Sequence, residues 1–185
     1  MRNDLEYPIT LLTPETAIAP FDCGDADLND FLANDAIAFL KERLAVTHLM
    51  VFETNDEIVP VSYFCLLTDK LMFNLSDEDK KKAWKTFNKK NKIHYNKHRK
   101  SYPAVKIGRL AVSQSFAGQG IGRILINYII GIVTEMNTIG CRFITVDAYQ
   151  SAFDFYLKNE FDFLSDEDEN ETTRVMYFDL KRLFH

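Results

Sequence analysis

Acidic side chains vanish from one stretch of this sequence. Residues 80–109 contain no Asp or Glu, although the 185-residue chain holds 27 of them. The same stretch carries twelve of the 22 Lys and Arg, a local charge of +12 inside a chain of net charge −5. The acidic total excludes a uniformly basic nucleic-acid binder. Charge separation on this scale fits a solvated basic arm or an anionic partner. Long apolar runs are missing too, and with them any expected membrane span. The opening Met1-Arg2-Asn3-Asp4-Leu5-Glu6-Tyr7 has no apolar secretory core. Cysteine is scarce: Cys23, Cys65 and Cys141 are scattered, odd in number and form no C-x-x-C pair, so no zinc or disulfide framework is expected. A reduced, cytoplasmic setting is expected. Glycine is also scarce, at seven residues. Three of the seven fall in one pentapeptide, Gly118, Gly120 and Gly122.

The remaining patterning reads as a mixed α/β chain. Residues 7–12 form a first strand. Asp25 to Arg43 is a helix by period, with Leu28, Phe31, Leu32, Ala36, Phe39 and Leu40 on one face. Strands over 45–53 and 58–67 pair as a hairpin around Asn55-Asp56, and Pro60 predicts an edge or bulge. Ser76 with Asp79 gives a capping-box start for a basic helix. Its apolar stripe is narrow (Ala83, Trp84, Phe87), so light docking is expected. A mobile basic loop over 91–100 then ends at Pro103. Val105 to Val112 is a strand. The helix from about Gly120 to Glu135 is apolar nearly all round, which predicts packing on more than one side. A strand over 141–147, a short helix over 151–159, and closing strands over 161–164 and 175–180 complete the order. The acidic stretch 165–171 reads as a solvated hairpin loop.

Glycine permits unusual backbone angles and close approach, and a helix start presents unpaired N–H groups at a positive dipole end. The Val112-to-helix junction is therefore either a turn that needs glycine only for its angles, or a seat for a phosphate. A P-loop requires Gly-Lys-Ser/Thr, but Arg123 and Ile124 follow Gly122. The dinucleotide fingerprint requires glycine at the sixth position counted from Gly118, which is Arg123.

Leu110-Ala111-Val112 followed by Ala117-Gly118-Gln119-Gly120-Ile121-Gly122 resembles the acetyl-coenzyme A loop of the GNAT superfamily of N-acetyltransferases. The family loop reads Arg/Gln-x-x-Gly-x-Gly/Ala, so Ala117 is a departure. A second block, Ser151 to Phe161, is similar to the family's last helix. There Tyr156 falls on the tyrosine that protonates the departing thiolate, and Glu160 replaces the usual glycine, so the turn leaving that helix is expected to differ. A third block, Phe21 to Leu32 together with Gly108-Arg109-Leu110-Ala111-Val112, resembles GNAT proteins of toxin–antitoxin pairs, which acetylate the amino group of aminoacyl-tRNA.

The resemblance implies a single GNAT domain over 1–185 with a basic helix-loop insertion at about 76–102. It implies a mixed, mostly antiparallel sheet of about six to seven strands, flanked by helices and splayed at the acetyl-CoA site between the 106–112 and 142–147 strands. Tyr156 is the implied general acid. The N–H groups of Gln119 to Arg123 would hold the pyrophosphate, and Leu110 and Val112, with Ala111, would bond the pantetheine arm. The donor is acetyl-CoA and no metal is implied. Many family members carry Glu where Arg109 stands, so a base on that strand is absent. Acceptors are the aminoacyl-tRNA amine, reached through the basic segment 80–109, or else a protein or small-molecule amine. A non-catalytic acyl-CoA-binding module is the alternative. An antitoxin and a homodimer are candidate partners; a membrane is not. Asp147 and Glu53 are candidate bases that read more simply as solvated carboxylates. His94 and His98 are four residues apart, a spacing that would suit zinc on a helix, but this region is not expected to be helical, so no zinc site is expected there.

Overall fold

The computed structural model describes residues 7–17, 19–53, 58–73, 76, 78–93, 100–136, 139–166 and 168–184. The described elements are strands β1 (Ile9–Leu11), β2 (Val46–Glu53), β3 (Ile58–Met72), β4 (Ser101–Val112), β5 (Phe143–Tyr149), β6 (Asp162–Phe163) and β7 (Thr173–Asp179). The α-helices are α1 (Ala26–Asp30), α2 (Ala36–Lys41), α3 (Glu78–Lys90), α4 (Ile121–Glu135) and α5 (Phe153–Lys158). The sheet is seven-stranded and mostly antiparallel, in the order β1-β2-β3-β4-β5-β7-β6. Two compact units divide the chain: Met1–Leu67 with Ile107–Ile129, and Thr68–Lys106 with Ile130–His185.

In the first unit, β2 pairs antiparallel with β1 and with β3. The register slips between Met50 and Val51, where Val51 faces Pro60. Proline brings no N–H to the ladder, and Val51 turns its own N–H to the Pro8 carbonyl at 2.9 Å. The expected bulge is therefore present. The expected long helix runs from Ala26 to Lys41, interrupted by a π-helical turn at Phe31–Asp35. Asp25 caps it, accepting the Leu28 N–H at 3.1 Å. The wide turn buries Phe31 and Leu32 together, and the core closes around them with Leu12, Leu49, Val51, Tyr63 and Ala111.

The second unit is organised by aromatic rings. Phe87 of α3 lies 4.8 Å from Phe73, 5.0 Å from Tyr177, 5.5 Å from Phe143 and 6.0 Å from Tyr102, ring centre to ring centre. The basic helix is thus anchored through a core residue, not lightly docked. A stripe of three residues suffices because one of them is a fully inserted ring. β4 begins at Ser101, before Pro103, whose exposed position leaves its carbonyl to accept the Arg142 N–H at 3.3 Å. β3 runs five residues past the expected end. Beyond Leu67 it alternates exposed Thr68, Lys70 and Met72 with inward Asp69 and Leu71, and Asp69 accepts the Thr145 hydroxyl at 2.6 Å. Asp168 in the acidic hairpin is not solvated either: it accepts Arg174 Nε at 3.0 Å and the Val175 N–H at 2.9 Å.

The long apolar helix α4 buries one stripe, Ile121, Leu125, Ile126, Ile129 and Val133, and leaves Ile124 exposed. Its other aliphatic residues are half-buried, so packing all round is corrected to one dominant face. The turn at Asn55-Asp56, the side chain of Asp79 and residues 94–99 lie outside the described residues. With 94–99 go the basic-loop expectation and the His94/His98 pair.

Candidate active site

The glycine run lies wholly in the first unit. β4 ends at Val112, and the Ser113 N–H donates to the Val61 carbonyl at 2.9 Å, so the strand is held to its last residue. One 3₁₀ turn (Gln114–Phe116) leads to the exposed residues Ala117, Gly118, Gln119 and Gly120, and α4 begins at Ile121. Gly118 has φ +76° and Gly120 φ +78°. A Cβ at either would meet nothing within 4 Å. Glycine is required here for backbone angles, and the space around both residues is open. The N–H groups of Gly118, Gln119, Gly120, Ile121 and Gly122 have no acceptor among the described residues. The Arg123 N–H, in contrast, donates to the Gly120 carbonyl at 3.1 Å. Its backbone is taken up by the first helical turn, and its exposed guanidinium is what remains for a ligand. Five successive unpaired donors at the start of a 15-residue helix are what an anion such as a pyrophosphate would bind. Upstream, Ala111 is buried, while Leu110 and Val112 are half-buried.

A second segment holds this loop from behind. The Asp22 carboxylate accepts the Gly24 N–H at 2.8 Å, Asn29 Nδ2 at 2.9 Å and Gln114 Nε2 at 3.0 Å. The Gln114 N–H donates to the Asp22 carbonyl at 2.9 Å. Gly24, at φ +86°, makes the tight turn that allows it. The hydrogen bonds from Gly24 and Asn29, aided by Gln114, hold the Asp22 carboxyl below the usual carboxylate range. A depressed carboxyl stabilises the fold above its unfolded value, and that contribution is lost as pH falls through the lower folded value. The carboxylate's share of the clasp is therefore in place at neutral pH and weakens as pH falls below the ordinary carboxylate range, while the backbone bond from Gln114 to Asp22 does not titrate. Sequence reasoning singled out Phe21 to Leu32 by resemblance but missed its contact with Gln114, because 92 residues separate the partners.

Arg109 belongs to the same arrangement. Its guanidinium lies 4.2 Å from the centre of the Phe31 ring, in the π-helical turn, and 3.5 Å from the Asp27 carboxylate. Its Nε is buried with no hydrogen-bond partner among the described residues. The two parts of the third sequence block, 21–32 and 108–112, are thus physically joined.

Tyr156 lies in the second unit, on α5. Its ring is buried edge-on against Phe155 and Phe161, at 5.0 and 5.3 Å. Burial pushes the phenol well above its ordinary pKa, so it holds its proton at any physiological pH. The helix ends as a glycine-terminated one would: Glu160 adopts φ +65°, its N–H donates to Leu157, and the Phe161 N–H donates back to Tyr156, both at 3.0 Å. Replacement of the usual glycine has not changed the turn.

Asp147 is paired with Lys106 at 2.5 Å. The Glu53 side chain lies outside the described residues. His48 stacks on Phe64 at 4.7 Å, and burial pushes its imidazole down. Burial also pushes the Cys23, Cys65 and Cys141 thiols up, away from the thiolate form. Among the described residues no group of three or more His, Cys, Asp or Glu is placed to hold a metal, and no helix is long and apolar enough to cross a membrane.

Residues 42–161, about two-thirds of the chain, match the family model described as Acetyltransferase (GNAT) family. No curated protein sequence matches. Solved structures of similar fold include AtaT complexed with acetyl-methionyl-tRNAfMet, with a TM-score of 0.76, 24% identity, and coverage of 97% of this chain and 98% of that one. AtaTR bound with AcCoA gives 0.73 at 23% identity, over 96% and 98%. A tyrosine-to-phenylalanine variant of the AtaT toxin bound to the C-terminus of the antitoxin AtaR gives 0.72 at 22% identity, over 96% and 95%.

Proposed function

The chain belongs to the acetyltransferase (GNAT) family, and on that premise we propose that it moves the acetyl group of acetyl-CoA to the α-amino group of an aminoacyl-tRNA. The glycine loop, with its run of unpaired N–H groups, is the seat assigned to the donor's pyrophosphate. Gly118, Gln119, Gly120, Ile121 and Gly122 offer backbone donors, Arg123 offers its side chain, and Leu110, Ala111 and Val112 offer the strand for the pantetheine arm. Ala117 adds no side-chain contact of its own. In direct attack, the acceptor nitrogen forms a bond to the acetyl carbon and the carbon–sulfur bond breaks. Tyr156 is assigned the proton that meets the leaving sulfur, a role that suits a phenol held protonated by burial. A cysteine-bound acetyl intermediate is disfavoured, since all three thiols are biased toward the neutral form.

Arg109 is the observation that carries the choice of acceptor. A carboxylate at that place would serve as general base, and here the place holds a guanidinium engaged with Asp27 and Phe31. An acceptor that needs little help in losing its proton fits such a site. At pH about 7.5 a lysine amine of pKa about 10.4 is neutral in roughly one molecule per thousand, whereas an α-amine near about 7.8 is neutral in roughly a third. AtaT, of similar fold, is known in complex with acetyl-methionyl-tRNAfMet. The Lys-rich segment 80–109 is the surface assigned to the tRNA phosphates. A homodimer and an antitoxin partner complete the reading.

The test is an acetylation screen with radiolabelled acetyl-CoA against charged tRNA, protein extract and polyamines. Label is expected in aminoacyl-tRNA, and Tyr156→Phe is expected to lower the turnover at least about tenfold, since general acids contribute about 10²–10⁴-fold. Label in protein or polyamine but not in tRNA overturns the acceptor. Tight acetyl-CoA binding with no turnover on any amine overturns the enzyme in favour of an acyl-CoA-binding module.

A further inference from the structure

The second unit contains a cavity of about 410 Å³ away from the glycine loop; only Lys90, Asn91 and Lys92 of its wall fall in the segment assigned to the tRNA phosphates. Its wall is built where α3 ends, where β6 begins and where β7 runs into the C-terminal 3₁₀ turn (Leu180–Phe184). Lys90, Lys92, Lys181 and Arg182 line it, against two carboxylates, Asp162 and Asp179. Both carboxylates are already matched. Asp179, 3% exposed, is gripped by Arg142 through two bonds, Nε to Oδ1 at 2.9 Å and Nη2 to Oδ2 at 2.7 Å, and also accepts the Lys181 N–H at 3.1 Å. Asp162 accepts Lys90 at 2.9 Å and also Arg182. Burial works against ionisation of Asp162, yet these two cations outweigh it and hold its carboxyl below the ordinary range. The side chains of Lys92 and Lys181 have no carboxylate partner among the described residues. The wall therefore has fixed, mutually oriented cations and a surplus of positive charge.

We propose that this cavity binds a phosphate group, carried by a nucleotide or by an RNA strand, at a site separate from the acetyl donor's. A surplus of ammonium groups beside an anchored guanidinium suits a doubly charged, many-oxygened anion better than a single carboxylate. The volume falls in the range of small-molecule sites, about 300–1,000 Å³, and exceeds what an inorganic ion alone needs. Exposed Lys85 and Lys89, one turn apart on α3, lead along the helix to the same end. The RNA arm rests on the aminoacyl-tRNA reading, and the nucleotide arm does not.

The test measures affinities for adenosine 5′-monophosphate and for deacylated tRNA, with acetyl-CoA saturating so that its own nucleotide seat is filled. Three proteins are compared: the wild type, Lys92→Gln/Lys181→Gln, and the charge-matched control Lys41→Gln/Lys70→Gln. At least one ligand is expected to bind about tenfold more weakly to the cavity variant. The control is expected to stay within about twofold and acetyl-CoA affinity to be unchanged. If the ligand is RNA, the salt dependence flattens as well, by about 0.7 in log–log slope for each single-strand phosphate that the variant no longer neutralises. Loss of nucleotide binding identifies a free effector, and loss of tRNA binding alone identifies the strand. Two results overturn the site: equal weakening in both variants, or no change of either ligand in the cavity variant. If tRNA is not acetylated yet nucleotide binding falls in the cavity variant, the cavity stands and the acceptor assignment falls.

Discussion

Glu160 occupies a backbone region that side chains with a Cβ enter at a cost of about 1–2 kcal/mol. It is held there by the bonds that close α5 and by Arg182, which donates to the Glu160 carbonyl at 2.9 Å. None of these contacts uses the Glu160 side chain. Glu160→Gly is therefore expected to stabilise the protein by about 0.5–1 kcal/mol after the added freedom of the unfolded chain is subtracted, raising Tm by about 1–4 °C. Thermal and urea unfolding of the two proteins check this. At the residue scale the sequence is informative wherever chemistry is local. Gly118 and Gly120 were legible because few residues other than glycine adopt such angles. Glu160 was legible as a departure, but not its outcome, since only the surrounding turn reveals that the conformation survives the substitution. Arg109 was legible as an oddity, and its partners Asp27 and Phe31 were not, lying about 80 residues earlier in the chain.

Elements followed their periodicity closely where the pattern was strong. α4 begins and ends within about one residue of the apolar repeat that predicts it, and β2 and β3 pair antiparallel as alternation requires. The failures share a cause. The π-helical turn in Phe31–Asp35 arises from tertiary burial of two adjacent large side chains, which no helical period anticipates. The N-terminal part of β4 contains a proline and the end of β3 is polar in sequence, but Pro103 and Asp69 find their partners in the fold. α3 reads as a lysine helix with little to bury, whereas Phe87, 3% exposed, sits among four other rings. Phe87→Ala is accordingly expected to cost about 3–5 kcal/mol, while Lys85→Ala on the same helix stays within about 0.5 kcal/mol of wild type. Urea denaturation midpoints at constant slope distinguish the two.

At the scale of the molecule, β3 and β4 each contribute residues to both compact units, so the division between units cuts two unbroken strands. The single-domain reading predicts one cooperative transition. Trp84, the only tryptophan, reports on the second unit, and far-ultraviolet circular dichroism reports on all elements. Their unfolding curves in urea are expected to coincide; separated midpoints establish independent domains. The charge division was fully legible at this scale, because a count along the sequence suffices. The cavity was not, because its wall draws on residues 90–92, 162 and 179–182, which composition cannot bring together.

The Asp22–Gln114 clasp also orders events in time. During synthesis at about 5–20 residues per second, the Asp22 turn emerges roughly 5–20 seconds before its partner. Throughout that interval Asp22 can engage only its near neighbours, Gly24 and Asn29. A chain interrupted before Gln114 has the means to build the first hairpin but not the support of the glycine loop. The glycine loop is therefore braced late, when the stretch after Val112 closes back on residues made 92 positions earlier.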